Sequence, residues 1–227
     1  MKIGRLLSGF AFISVLCAQT PMRVASITAV GQASVSVTPD MALVDVGVST
    51  QAATAQDASQ QNAAQAGTII SALQALLGTT ASIKTISYSV SPVYNNPPSG
   101  QNATIIGYVV TNIVEVTLTD LTLVGKVIDT AIQSGANRVQ GVSFGLQDNT
   151  VPVGQALKTA ASRALSQAAA IASGLNVHTG SVLRASEGVN TANPTALTPI
   201  AGGASTPIQT GMVVIQASVT IEVAITP

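Results

Sequence analysis

A serine-centred motif, Gly141-Val142-Ser143-Phe144-Gly145, matches the GxSxG pattern of hydrolase nucleophile elbows. In such an enzyme the serine attacks a carbonyl carbon, a histidine takes the serine proton, and an acid orients the histidine. The chain contains one histidine, His178, and Asp148 is the acidic residue between it and Ser143. These three residues define a serine hydrolase hypothesis.

The residues around Ser143 favour a strand rather than an elbow. Val142, Phe144 and Leu146 alternate with Ser143 and Gly145, which is the period-two pattern of an extended chain. An elbow needs a sharp turn followed at once by a helix, and the next helical pattern begins several residues later. We therefore expect Ser143 in the middle of a strand, on the face opposite the core, and we predict no catalytic residue. The hydrolase stays an alternative that Ser143→Ala would test.

The sequence contains few of the residues that bind metals and none of the common cofactor-binding motifs. A single histidine and a single cysteine, Cys17, cannot supply the usual zinc ligands. The nine acidic residues are scattered, without a calcium-loop cluster. We interpret Asp40, Asp57 and Asp120 as turn and cap residues, and Glu115 and Glu222 as residues on the solvent faces of strands. No phosphate-binding loop, dinucleotide fingerprint or basic aromatic face occurs, so we predict no cofactor, no nucleic-acid partner and no enzymatic activity.

The elements that position these residues centre on the stretch from Thr104 to Leu146. Even positions from Ile106 to Leu118 are apolar apart from Asn112, and several odd positions are apolar too, which predicts a strand inside a sheet. Asp120 occupies an N-cap position, helical spacing follows, and Gly135 ends the helix. A further strand runs from Val139 to Leu146.

The flanking elements complete an α+β pattern. Alternation predicts two strands joined as a hairpin by Pro39-Asp40, and Thr54 with Asp57 forms a capping box for a helix that ends at Gly78. A third helix runs from Val153 to Ser173. The remaining predicted strands are one with Ile86, Tyr88, Val90 and Tyr94 on one face, a weaker one over Val182–Val189, and a last one over Val213–Ile225. The predicted order is β-β-α-β-β-α-β-α-β-β, with three helices and mainly antiparallel sheets.

Several short motifs together resemble the SIMPL-domain family. They are Val30 to Ala42 with its Pro39-Asp40 turn, Gly107-Tyr108, Glu115 to Leu118, Asp120-Leu121, Ser134 to Asn137 and Val142 to Gly145. The similarity covers about Ile27 to Ile225. It implies a bacterial cell-envelope role like that of periplasmic immunogenic proteins, with oxidative-stress defence in some relatives and ring-like or channel-like assembly in others.

The N-terminus has the pattern of a secretory signal peptide. Lys2 and Arg5 precede an apolar run from Leu6 to Leu16, which is too short for a lasting membrane span of roughly 20 residues. Cleavage after Ala18 fits this pattern, and the alternative is an anchor that is never cut. The bulky Leu16 argues against lipidation of Cys17. We predict a signal peptide over 1–18, a lead-in over 19–26, one domain over 27–227, and a periplasmic or secreted protein.

The most informative feature of the composition is its low content of charged residues. Charged residues make up 8% of the chain, and removing Lys2 and Arg5 leaves seven basic against nine acidic residues. Weak mutual repulsion favours a homo-oligomer. Envelope association is a further expectation, and the sequence identifies no small-molecule ligand. If the strand Val213–Ile225 lies at a sheet edge, it carries few of the devices that block pairing, with Glu222 as its one charged residue. The alternative is that this strand is central. The Ala/Pro/Thr-rich stretch 190–211 predicts a flexible surface excursion and provides a partner-binding alternative.

Overall fold

The computed structural model describes residues 24–78, 82–95, 102–193, 195–196 and 210–227. Within these residues the strands are β1 (Ser26–Val37), β2 (Met41–Ala52), β3 (Ser82–Tyr94), β4 (Ile105–Leu118), β5 (Arg138–Gly145), β6 (His178–Ala192), β7 (Thr195–Ala196) and β8 (Val213–Thr226). The helices are α1 (Ala55–Leu77), α2 (Val124–Gln133) and α3 (Thr150–Gly174), with a 3₁₀ turn over Leu121–Leu123 before α2. The α+β class and the predicted order are confirmed, and the two-residue β7 is an addition to that order.

The strands form two antiparallel sheets. The small sheet has the order β1-β8-β6, and the large sheet has the order β3-β4-β2-β5-β7. Helix α3 covers one face of the small sheet, while α1 and α2 cover one face of the large sheet. Each sheet therefore has its own hydrophobic core, because buried side chains cluster separately under α3 and under the α1–α2 pair.

The predicted hairpin between the first two strands is wrong. β1 pairs with β8 along its whole length, whereas β2 pairs with β4 and β5 in the other sheet. Pro39 and Asp40 do turn the chain, but they carry it from the small sheet to the large one. The alternation of apolar residues shows which face of each strand is buried and leaves the neighbouring strand undetermined.

The last strand is central, as the alternative interpretation of the sequence had it. β8 lies between β1 and β6 and is paired on both sides. Its sparse charge is therefore that of a strand buried between neighbours, and the condition for edge-to-edge pairing through β8 is not met. β6 also extends well beyond the weak strand predicted over Val182–Val189, because it follows β8 to Ala192.

Small residues bring α3 close to the small sheet. The buried positions of α3 recur every four residues at Ala156, Ala160, Ala164, Ala168 and Ala172. On the sheet, Gly31 faces this stripe, and a Cβ atom there would lie 2.0 Å from the Ala160 carbonyl oxygen. Two larger apolar residues of α3, Leu165 and Ile171, lie outside this stripe and are 48% and 37% exposed.

Predicted caps and turns around the large sheet are confirmed. The Thr54 hydroxyl accepts from the Asp57 backbone N–H at 3.1 Å and donates to the Asp57 carboxylate at 2.8 Å. The Asp120 carboxylate caps the 3₁₀ turn by accepting from the Thr122 N–H at 3.0 Å. Gly135 follows α2 with φ +101°, a conformation that side chains rarely adopt. β4 lies between β3 and β2, inside the sheet as predicted.

Candidate interaction surface

Ser143 lies in the middle of β5, as the alternation predicted. Its neighbours Val142 and Phe144 are buried under the helices, so Ser143 points to the opposite face of the large sheet. Both sides of β5 are occupied there, since Ser143 is in register with Leu43 of β2 and with Thr195 of β7. The strand continues through Gly145, and α3 begins at Thr150, so the strand–turn–helix geometry of a nucleophile elbow is not formed at Ser143.

The other two residues of the hydrolase hypothesis have separate local roles. The Asp148 carboxylate accepts from the Thr150 backbone N–H at 2.8 Å, and hydrogen bonding to Thr150 holds the pKa of Asp148 below its usual value. His178 is the exposed first residue of β6, in the small sheet. Among the hydrogen bonds of the described residues, none joins Ser143, Asp148 and His178.

A row of charged residues crosses the open face of the large sheet. Glu115 of β4 is in register with Lys84 of β3 on one side and with Asp45 of β2 on the other. Lys84 Nζ lies 2.8 Å from Glu115 Oε1, which is an ion pair, and the Glu115 side chain is only 14% exposed. The prediction that Glu115 lies on the solvent face of its strand is therefore right for the direction, while the side chain itself is largely covered.

Asp45 is the residue of this row whose negative charge is unfavourable in the folded protein. Burial raises the pKa of Asp45, the Glu115 carboxylate opposite raises it further, and Lys84 lowers it. The Oδ1 atom of Asp45 is buried and has no hydrogen-bond partner among the described residues. Two carboxylates and one ammonium group do not form a metal site, and no group of three or more metal-binding side chains occurs in the described ranges.

An exposed apolar surface covers the outer part of the β3–β4 hairpin. We call it the hairpin surface, and it comprises Ile86, Tyr88, Val90, Tyr94, Ile105 and Ile106. These side chains are between 43% and 59% exposed. All three tyrosines of the chain, Tyr88, Tyr94 and Tyr108, lie on this hairpin. Apolar side chains gathered in this way, rather than scattered singly, are typical of an interaction site.

The position of α1 explains why this surface is open. Tyr88 is in register with Asn112 and Val90 with Val110, so both point to the helix-covered face of the sheet. Val110 is fully buried because α1 packs over β2 and β4, but α1 barely reaches β3. The alternation in β3 was predicted correctly as a strand face. Its exposure was not predictable, because it depends on where α1 ends up across the sheet.

Asn62 is a structural residue that the sequence analysis did not single out. It lies inside α1, is fully buried, and its side-chain nitrogen donates to the Val48 carbonyl at 3.1 Å and to the Val110 carbonyl at 3.0 Å. Asn62 thereby fastens α1 to both central strands. The available signal was an amide at the helical spacing of Ala58 and Ala66, within the otherwise apolar stripe.

The stretch 190–211 is only partly described. Asn190 to Ala192 end β6, and Thr195–Ala196 form β7 against β5. This part of the stretch therefore links the edge of the large sheet to the small sheet. Residues 194 and 197–209 lie outside the described ranges, as do the predicted signal peptide and Cys17. Within the described ranges, no helix has the length and apolar character that a membrane span requires.

Comparison with known proteins places these features in a family. The family model described as SIMPL, protein of unknown function (DUF541), matches residues 27–223. The 26 kDa periplasmic immunogenic protein of Brucella melitensis is 27% identical over 182 residues, which cover 79% of this chain and 72% of the relative. The uncharacterized protein YggE of Escherichia coli K12 is 28% identical over 152 residues, which cover 67% of this chain and 61% of YggE. The match spans both sheets and all three helices, and the chain belongs to the SIMPL family.

Proposed function

We propose that this protein is an exported, periplasmic component of the cell envelope that acts without catalysis, by assembling into a homo-oligomer through the hairpin surface. The observation that carries the proposal is the exposed cluster of six large apolar side chains on β3 and β4. Burying such a cluster is favourable by roughly 25 cal/mol per Å² of apolar area.

The charge distribution supports association at this surface. From Thr85 to Tyr94 and from Ile105 to Val114 the hairpin carries no charged residue, and the flanking Lys84 and Glu115 are already paired. Two copies can therefore approach without desolvating an unpaired charge, which would cost several kcal/mol. Tyrosine is also enriched where protein surfaces meet.

Side-chain packing, rather than strand addition, is the mode of contact that β3 favours. β3 is an edge strand, but Pro92 in it has no N–H to offer to a further strand. A regular backbone ladder along this edge would be interrupted at that residue. We therefore place the contact on the faces of Tyr88 and Val90 rather than on the backbone edge.

Light scattering at several concentrations tests the assembly. We expect the wild-type mature protein to be larger than a monomer, and Val90→Lys to shift it toward the monomer. Val182→Lys is the matched control, because Val182 is an edge-strand valine of the other sheet, 50% exposed against 43% for Val90. Lysines at Ser218 and Thr220 should also leave the assembly intact, since those residues lie on the central β8.

Two results would contradict this proposal in different ways. If the wild-type protein stays monomeric at every concentration, the proposed homo-oligomer does not form. An oligomer that responds equally to Val90→Lys and Val182→Lys would show that the protein assembles but that the hairpin surface is not its interface.

Export is supported by the N-terminal sequence pattern and by the name of the Brucella relative, which calls that protein periplasmic. We expect the envelope-extracted protein to begin near Gln19, without cysteine and without lipid, because Leu16 is too bulky to precede a lipidated cysteine. Intact mass measurement checks all three points. A mass that includes an acylated Cys17 would show a lipoprotein instead.

A role in defence against oxidative stress is the proposed consequence of assembly. A strain lacking the protein should be more sensitive to peroxide, and the Val182→Lys variant should restore resistance where Val90→Lys fails. Equal rescue by both variants would separate stress protection from assembly. Equal sensitivity of the deleted and parental strains would remove the stress role.

Two alternative functions depend on other residues. A partner-binding role would use the stretch 190–211, and deleting 197–209 should then abolish capture of the partner while leaving the oligomer unchanged. A hydrolase would use Ser143, whose mid-strand position counts against it. Ser143→Ala should leave any hydrolase activity found in the protein unchanged. If the variant loses that activity, the serine hydrolase hypothesis is supported.

A further inference from the structure

The open face of the small sheet carries a polar cleft that assembly through the hairpin surface does not use. Its volume is about 580 Å³, and its walls include Gln32, Ser34, Gly188, Asn190 and Gln216. This volume falls within the roughly 300–1,000 Å³ range of small-molecule sites. α3 covers the other face of the sheet, so nothing in the described fold packs over the cleft.

Strand register explains the shape of the cleft. Gln32, Ser218 and Gly188 lie side by side across β1, β8 and β6, and Ser34, Gln216 and Asn190 form the next row. Gly188 has no side chain, and a Cβ atom there would contact nothing within 4 Å. The two rows therefore surround a depression above Gly188 with amide and hydroxyl groups.

Among the described residues, one cation reaches this site. Arg163 of α3 extends to the β1 edge, where its Nη1 donates to the Gln32 carbonyl at 2.6 Å, and Arg163 also lines the cleft. A guanidinium group has five N–H donors, so one hydrogen bond leaves most of its donor capacity unused. No carboxylate forms an ion pair with Arg163 among the described residues, and no carboxylate lines the cleft.

This lining selects a particular ligand chemistry. Side-chain amides and hydroxyls both donate and accept, which suits the hydroxyl and N-acetyl groups of a sugar. A highly charged anion would need more than one cation, and an apolar ligand would need more apolar wall than Ala33, Val189 and Ala217 provide. No aromatic residue is found among the described residues that line the cleft, so this lining offers no stacking to a ligand.

We infer that the cleft binds a saccharide that carries N-acetyl groups and a carboxylate, with the carboxylate at Arg163 and the sugar amides and hydroxyls at Gln216 and Asn190. Binding of one disaccharide unit is weak, with a Kd of roughly 1 mM, which corresponds to a small ligand held by polar contacts alone. The inference does not depend on the hairpin surface or on the oligomeric state.

Saturation-transfer NMR on the full mature protein tests the inference with three probes. They are the disaccharide of N-acetylglucosamine and N-acetylmuramic acid, the uncharged diacetylchitobiose, and lactate as a carboxylate without a sugar. We expect the acidic disaccharide to bind about two- to fivefold more tightly than the neutral one, which is the range of an exposed charge pair. Lactate alone should not bind measurably.

The variants separate the two parts of the site. Arg163→Gln should make the two disaccharides bind equally, and Gln216→Ala should weaken both. Gln51→Ala, which removes an exposed amide from the large sheet, is the matched control and should change neither. Circular dichroism checks that each variant is folded. If Arg163→Gln does not fold, the effect of Gln216→Ala on disaccharide binding tests the cleft instead.

Three outcomes would overturn the inference. The first is that no disaccharide binds at about 10 mM, roughly ten times the expected Kd. The second is that Gln216→Ala and Gln51→Ala behave alike, which places binding elsewhere. The third is that lactate binds as well as the acidic disaccharide, which shows an adventitious anion at Arg163 only.

Discussion

The Asp40 carboxylate accepts a hydrogen bond from the backbone N–H of Gln147 at 2.8 Å, although 107 residues separate them in the chain. Asp40 lies where the chain leaves the small sheet for the large one, and Gln147 lies where it returns from β5 to α3. The Asp40 N–H adds a bond to the Gly145 carbonyl at 3.1 Å. The two crossings between the sheets are therefore fastened to each other.

Removing the Asp40 carboxylate should loosen this junction. Asp40→Ala leaves the Gln147 N–H without its partner, and we expect a loss of about 1–2 kcal/mol in the free energy of unfolding. Asp40→Asn keeps an acceptor oxygen and should cost less. Urea unfolding measures both variants, and equal costs would show that the acceptor has no stabilising role.

Gly31 should tolerate no side chain. A Cβ atom at Gly31 would overlap the Ala160 carbonyl oxygen at 2.0 Å and the Ala164 nitrogen at 2.4 Å, so Gly31→Ala must push α3 away from the sheet. We expect a cost of about 1–3 kcal/mol or more. Gly188→Ala in the same sheet has open space and is the control. A Gly31→Ala melting temperature equal to that of the control would refute the close packing of α3.

Asn62 should be hard to replace despite its place in a helix. Asn62→Ala leaves the buried carbonyls of Val48 and Val110 without their side-chain donor, and we expect a loss of about 1–3 kcal/mol. Asn62→Asp should be worse, because it brings a buried acceptor toward two acceptors. Asn190→Ala, at an exposed position, controls for the loss of an amide. A neutral Asn62→Ala would mean that water replaces the amide.

The charge row predicts a pH dependence of stability. The folded state raises the pKa of Asp45 above its usual 3.8, so it holds a proton more tightly than the unfolded chain does. The Asp45 charge therefore destabilises the fold at neutral pH, and this penalty disappears as the pH falls through the raised pKa to below 3.8.

Asp45→Asn should accordingly raise the melting temperature at pH 7 and have little effect near pH 3, where the wild-type carboxyl is already protonated. Thermal melts between these two pH values give the comparison. A variant that is less stable than wild type at pH 7 would show that the Asp45 charge stabilises the fold through Lys84 instead.

Gly135 should be sensitive for a reason other than crowding. Its φ is +101°, and a Cβ atom there would contact nothing within 4 Å. Gly135→Val should therefore cost about 1–2 kcal/mol through backbone strain alone. Gly67→Ala in the middle of α1 also meets no neighbour and should stabilise the protein by about 0.5–1 kcal/mol. Equal melting temperatures for Gly135→Val and wild type would remove the strained turn.

The sequence by itself determined the features that depend on a few neighbouring residues. The capping box of Thr54 and Asp57, the cap at Asp120 and the helix end at Gly135 were all predicted, because each satisfies backbone groups within one turn of the chain. The mid-strand position of Ser143 was also predictable from neighbouring residues, because Val142 and Phe144 are apolar and alternate with it.

Tertiary structure alone decided which strands meet and which faces are covered. Ser26 donates to Glu222 across 196 residues of sequence, and no local pattern identifies β8 rather than β2 as the neighbour of β1. Alternation fixes the buried face of a strand, but the choice of neighbour depends on contacts that form only after long loops close. Tyr88 is exposed because of where α1 lies across the sheet. Asp45 lies opposite Glu115 because of the register of β2 on β4. Neither feature follows from the neighbouring residues in the sequence.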